Sequence, residues 1–267
     1  MKQGKCQLCL LDKPLCMSHL MPRVVYDYCR PPAGDPVVAN AEIIMESGRQ
    51  LQHPLLCEGC EGVLNDGGED WMGPLYARYD GGFRFFDFLK GMTPDAVDAG
   101  YAGYAGVKNP DIKAEKVIHF AMGTFWKAAV HSWKGGVTEP LIDLGTYREP
   151  VRTFLLGETG FPDRMALVVG VMRPPVKQIA FLAPYRTMER SYHRFYFYTS
   201  GILWTLSVGK AVDEELRKTS FATNPGRPIL VGDFSEDVKY VFQTVLRKAK
   251  RARNVEKYLR PRKTKRS

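Results

Sequence analysis

The chain has 267 residues, 45% of them hydrophobic and 25% charged, so it can bury a core and is excluded from the disordered and low-complexity classes. Its formal charge of +9 is uneven: Arg247 to Arg266 hold eleven Lys/Arg against one acid, Glu256, a net +10 that leaves −1 for the rest. Residues 1–6 carry no apolar run of a secretion signal, and no apolar stretch reaches membrane-spanning length, so the expectation is a soluble, cytoplasmic protein with no membrane partner.

Residues 1–75 contain all six cysteines, turn signals at Pro31-Pro32-Ala33-Gly34 and Asn65-Asp66-Gly67-Gly68, and little periodicity of helix or strand type. Such a segment needs a metal to fold. Six cysteines are too sparse for a disulfide scaffold, and in a reducing compartment two Cys-x-x-Cys pairs point to metal. Cys6, Cys9, Cys57 and Cys60 supply a full tetrahedral shell for a structural Zn2+, since each pair brings two thiolates to one ion from a tight turn. The 47 residues between the pairs exceed zinc-ribbon spacing and must fold as an insertion. A compact alternative, Cys6, Cys9, Cys16 and His19, would leave Cys57 and Cys60 to a second site or to none. Cys29 belongs to neither shell and reads as a small buried hydrophobe.

An aromatic, glycine-rich connector follows over 76–110, and residues 111–250 then read as an α+β domain. Val117, Phe120, Ala121, Phe125, Ala129 and Trp133 stand at helical spacing, predicting a long amphipathic helix within Ile112 to Trp133 that Gly135-Gly136 ends. From Met165 the period changes. The segments 165–172, 178–183, 192–199 and 202–208 are rich in Val, Ile, Tyr and Phe and predict strands of one antiparallel sheet, with a further short strand within 225–232. A last helix begins behind Ser235, where Glu236 and Asp237 suit the positive end of the helix dipole, and runs into a basic tail over 251–267. A tail of this kind tracks polyanions, and Arg247, Lys248, Lys250, Arg251 and Arg253 are its candidate nucleic-acid contacts.

Read together, Cys6-x-x-Cys9, Ser18-His19-Leu20-Met21-Pro22 and Leu55-Leu56-Cys57-x-x-Cys60-Glu61 resemble the HNH-type, ββα-metal (treble-clef) nucleases, and within them a bacterial subset with a Ser-His-x-x-Pro motif and a Cys-x-x-Cys-Glu helix start. The resemblance covers residues 1–75. It implies a zinc treble-clef (ββα-metal-like) module there, which together with the helix plus antiparallel-sheet domain and the basic C-terminal helix and tail read above makes the expected fold class α+β. It also implies a metal-dependent endonuclease of a kind that looks like a component of prokaryotic defence-type systems, acting on nucleic acid, DNA before RNA, with a protein partner as a further possibility.

Carried over by residue, His19 matches the general base that takes a proton from water, a task an imidazole's ordinary pKa of about 6.5 suits. The positions that would hold a catalytic Mg2+ or Mn2+ depart from the pattern: Ser18 stands where Asp is usual, Gln52 where Asn is usual, and Glu61 where Asn or His is usual. Magnesium favours carboxylate oxygens, so Glu61 is the second catalytic candidate, with Glu58, Glu69 and Asp70 in reserve. On a helix begun at Cys57, Cys60 falls at about 300° and Glu61 at about 40°, on the same side.

The alternative function is a non-catalytic zinc treble clef that binds nucleic acid or protein. His53 reads as a loop histidine, His119 and His131 as core or boundary residues, and Trp126-Lys127 as core before binding surface. Arg186, Arg190 and Arg194 interleave with Tyr192, Tyr196 and Tyr198, a pattern shared by a base-stacking surface and by a half-buried strand. No phosphate-cradling glycine loop, Gly-x-Ser-x-Gly elbow or His-Glu-x-x-His helix is present, which leaves nucleotide hydrolysis, acyl transfer and zinc proteolysis without support.

Overall fold

The computed structural model describes residues 2–39, 43–98, 100–105, 109–133, 140–176, 180–188, 192–212 and 228–251. The chain is mixed α+β with a four-cysteine cluster near its N-terminus. Strands β1 (Lys2–Lys5) and β2 (Asp12–His19) form an antiparallel hairpin around Cys6 to Leu11, and β5 (Gln52–Cys57) adds antiparallel to β2. Between β2 and β5 lie helix α1 (Arg23–Tyr28) and strands β3 (Val37–Ala39) and β4 (Ile43–Glu46). This insertion does not stay with the small sheet: β3 pairs parallel with a strand of the large sheet that is far away in the chain.

Helix α2 (Glu58–Leu64) starts directly from β5, continues through a π-helical turn at Asn65–Glu69, and ends in α3 (Asp70–Met72). The sequence signal for a turn at Asn65-Asp66-Gly67-Gly68 is therefore corrected. The glycines serve close packing: a Cβ on Gly68 would lie 2.3 Å from the carbonyl oxygen of Lys116.

The stretch 76–110 is built from regular elements, with α4 (Arg84–Lys90), β6 (Ala96–Asp98) and β7 (Tyr101–Ala105). Its aromatic residues Tyr76, Phe83 and Phe85 are core residues, which is why the segment is so rich in rings. Helix α5 (Ala114–Val130) and helix α6 (Arg148–Leu155) follow. Strands β8 (Met165–Met172), β9 (Phe181–Met188), β10 (His193–Thr199) and β11 (Ile202–Val208) are the four expected from the Val, Ile, Tyr and Phe runs, and they lie antiparallel in the order β9-β10-β11-β8. Strand β12 (Pro228–Gly232) pairs with β8 and β7, helix α7 (Ser235–Lys248) packs on the sheet at Tyr185, Tyr196 and Tyr198, and β13 (Lys250–Arg251) reaches β4. Among the described residues the large sheet has ten strands and is mixed, because β12, β3 and β13 enter it in parallel.

Alternation along the strands explains a sheet covered on both faces. Phe195 and Phe197 join Trp204, Phe120 and Phe125 on the α5 side, while Tyr196 and Tyr198 join Val238, Val241 and Val245 on the α7 side. Tyr196 and Tyr198 are buried, so these two rings build the sheet and do not offer a stacking surface, while Tyr192 is half-buried and Arg194 donates to the hydroxyls of Tyr192 and Tyr196. Arg190 lies outside the described residues. The two-residue turn Ser200-Gly201 joins β10 to β11 with φ values of 29° and 91°, the left-handed conformations such a hairpin requires.

Helix α7 begins at Ser235, not behind it. Its first N–H is accepted by the Asp233 carboxylate at 2.9 Å, so Asp233 does the capping. Among the described residues, no helix is long and apolar enough to cross a membrane. One hydrophobic cluster joins Cys6, Leu8, Leu56, Cys57, Cys60 and Leu64 to α5 and the large sheet, so the cysteine-rich segment shares its core with the rest.

Candidate metal centre and adjoining cleft

Cys6 and Cys9 sit in the β1–β2 turn, which closes through Leu10 N–H to Cys6 C=O (2.9 Å) and Cys6 N–H to Leu11 C=O (2.9 Å), with Leu10 at a φ of 63°. Gln7 N–H donates to Leu55 C=O (3.1 Å) and ties this knuckle to β5, at whose end Cys57 starts α2 and so brings Cys60 round one turn later. The four sulfurs lie within 4.8 Å of one another, and those of Cys9 and Cys57 are 3.9 Å apart. A tetrahedron of thiolates with metal–sulfur bonds of about 2.3 Å has edges of about 3.8 Å, so the group can hold a metal ion such as zinc. Burial and the neighbouring thiols push the Cys60 thiol up, an opposition to thiolate charge that a divalent cation reverses. Arg152, paired with Glu149, donates to Leu8 C=O (2.8 Å) and fixes the knuckle from α6.

Cys16 and His19 do not join this group. Cys16 is part-exposed on β2 opposite Leu56, and its thiol is raised by burial and then by the Glu61 and Glu58 carboxylates. Cys29 is buried, as its lack of a pairing partner suggested, but it is also hydrogen-bonded. Its sulfur lies 2.7 Å from Ser200 Oγ, and burial pushes its thiol up to about 12.

Beside the cysteines, His19 and Glu61 line one cleft of about 370 Å3 together with Arg23, Tyr28, Asn65 and Glu69. His19 reaches it as the last residue of β2, and Glu61, Asn65 and Glu69 recur every fourth residue along α2 and its π turn, so they face the same way. Ser18, where a metal-binding Asp was looked for, has another part. It is buried, its hydroxyl donates to the Glu61 carboxylate, and it accepts the Leu56 N–H (3.2 Å), so it orients Glu61. Burial raises the Glu61 carboxyl, while Ser18 and Lys127 oppose the rise.

Lys127 is bonded to two of the residues that line the cleft. Its ammonium, on a side chain 3% exposed, donates to the His19 carbonyl (2.7 Å) and to Glu69 Oε1 (2.6 Å). The sequence marked Lys127 only as part of an aromatic, basic helix segment. The available signal was a lysine inside the apolar run Phe120 to Val130, a position a charge holds only when paired.

The remaining candidates are dispersed. Glu58 is exposed and outside the cleft; Asp70 lines its rim but is bound by Lys116 (3.0 Å). Gln52 is exposed opposite His19 on β5 and does not line the cleft. His53 stacks on His131 with ring centroids 3.8 Å apart, and burial lowers both imidazoles. His119 Nε2 lies 3.0 Å from Leu155 C=O. Arg247 and Lys250 are exposed at the end of α7 and in β13 and do not line the cleft; Lys248 and Arg251 belong to the same two elements. Arg253 and the acids Asp213, Glu214 and Glu215 lie outside the described residues.

Comparison with protein-family models, curated proteins and solved structures gives no match.

Proposed function

We propose that the chain is a metal-dependent nucleic-acid endonuclease of the HNH-like, treble-clef kind. The observation that carries this reading is the meeting of His19, Glu61 and Glu69 in one cleft next to the four-cysteine group. The order of knuckle, hairpin and helix start, with a histidine ending the hairpin strand, supports it further. In this reading the cysteines hold zinc as a structural ion. His19 accepts a proton from a water molecule, the water oxygen attacks phosphorus, and the bond from phosphorus to the leaving oxygen breaks. Magnesium commonly binds through one or two carboxylates, and an ion taken by Glu61 and Glu69 would neutralise charge on the phosphate. Ser18 and Lys127 keep those two carboxylates aimed into the cleft.

A second reading, a treble clef that binds nucleic acid or protein without cutting, is favoured by one feature. Both carboxylates already have protein partners, Glu61 in Ser18 and Glu69 in Lys127. Nicking separates the two. Wild-type protein with plasmid DNA and with RNA, in magnesium or manganese, is expected to cut, and His19→Ala to lower the rate by about 100-fold or more, the usual worth of a general base. Equal nicking by both proteins, or none by either, removes the catalytic reading.

A further inference from the structure

A second cleft, of about 330 Å3, shares Tyr28 with the first and is lined by Asp27, Arg30, Arg78, Tyr79 and Asp80. A third, of about 390 Å3, shares Arg78 and Tyr79 with the second and is walled by Phe83 and Pro174-Pro175. The segment between the second and third is a small hairpin in which Ala77 bridges to Phe83 and Arg78 N–H donates to Gly82 C=O (2.7 Å). Tyr79 N–H donates to Tyr28 C=O (3.0 Å) and seats that hairpin on the end of α1.

The side chains here are those that recognise a nucleotide. The Arg78 guanidinium lies 4.2 Å from the centre of the Tyr28 ring and donates to the Tyr28 hydroxyl at 2.8 Å, which holds its planar fork in place. Its Nε is buried and has no partner among the described residues. Arg30 is exposed and lines the same cleft, a cation suited to phosphate, and Tyr79 is 47% exposed, although a large ring gains more from being covered. Asp80 is engaged by Gly82 N–H (3.0 Å), whereas Asp27 offers an acceptor of the kind that takes a base amino group.

We infer that Tyr28, Arg78 and Tyr79 form a nucleotide subsite beside the His19 cleft, taking an unpaired base and its phosphate from a single-stranded nucleic acid. The inference rests on the endonuclease reading for its substrate and adds the strand state. Separate pockets lined by rings admit bases splayed from their partners, and a duplex hides those faces.

Binding is read on the full chain carrying His19→Ala, with a fluorescein-labelled mixed-sequence DNA strand, free and annealed to its complement. The free strand is expected to bind more tightly than the duplex. Adding Tyr79→Ala is expected to weaken free-strand binding about tenfold, within the range for one lost stacking contact, and to leave duplex binding unchanged. Adding Arg30→Gln is expected to reduce the slope of log affinity on log salt by about 0.7, one phosphate contact on a single strand. Equal affinity for strand and duplex, or a Tyr79→Ala protein that binds the strand as its parent does, overturns the subsite. If the wild type nicks while Tyr79→Ala leaves strand binding untouched, the subsite falls and the nuclease stands. If strand binding depends on Tyr79 but the wild type nicks nothing, the nuclease falls and the subsite stands.

Discussion

Lys127 carries a buried ammonium between the His19 carbonyl and Glu69, and both acceptors lose their partner if it is removed. Breaking a buried pair from one side leaves an uncompensated charge, so Lys127→Met is expected to cost about 3 kcal/mol in urea unfolding. Adding Glu69→Gln removes the orphaned carboxylate and is expected to restore part of that loss. A cost of Lys127→Met below about 1 kcal/mol would mean that the ammonium behaves as a surface ion. Ser18 shows the same logic with a neutral group. A serine in place of a ligand aspartate reads as a weakness in the sequence, yet the hydroxyl both donates to Glu61 and accepts from β5. Nothing in a single position reveals that, because its partners lie about forty residues away in the chain.

The α2 helix and its π turn set the distance between Glu61 and Glu69, and Gly68 sets how closely that turn approaches α5. A Cβ there would stand 2.3 Å from Lys116 O and 2.9 Å from Phe120 N, both backbone atoms that cannot swing aside. Gly68→Ala is therefore expected to destabilise the protein by about 1–3 kcal/mol in thermal or urea unfolding, by forcing the two elements apart. An unchanged midpoint would show that α5 yields at no cost. Helix α5 and strands β8, β10 and β11 are long enough for their periods to register and fall within a few residues of expectation, whereas β9 (Phe181–Met188) shares only its first three residues with the expected 178–183. The π turn was read as a loop because Asn, Asp and Gly favour turns and close helix packing alike. Strands β3 and β4 were missed because three or four apolar residues carry no period, and the β9 edge that completes them lies some 140 residues further on.

At the scale of the whole molecule, two sheets are joined through one core, and the small one contributes little packing of its own. β1 is largely exposed, and the hairpin is closed by the cysteine cluster, by Gln7 to Leu55, and by Arg152 from α6. A structural zinc supplies an apparent ~10–16 kcal/mol to such a module, far more than its packing. Because Cys6, Cys57 and Cys60 belong to the same hydrophobic cluster as α5, loss of the ion is expected to loosen the cleft along with the knuckle. The four-cysteine group was legible because Cys-x-x-Cys brings two sulfurs together by itself; that His19 stays outside the group was decided only by where β2 ends.

The most direct test is elemental analysis of the purified full chain and two variants, with thermal unfolding recorded before and after a strong chelator. The account predicts one zinc per chain, a lowered unfolding temperature once the metal is removed, loss of zinc in Cys57→Ser, and full retention in Cys16→Ser. A folded chain without stoichiometric metal, or a Cys16→Ser protein that loses its zinc as Cys57→Ser does, would contradict it.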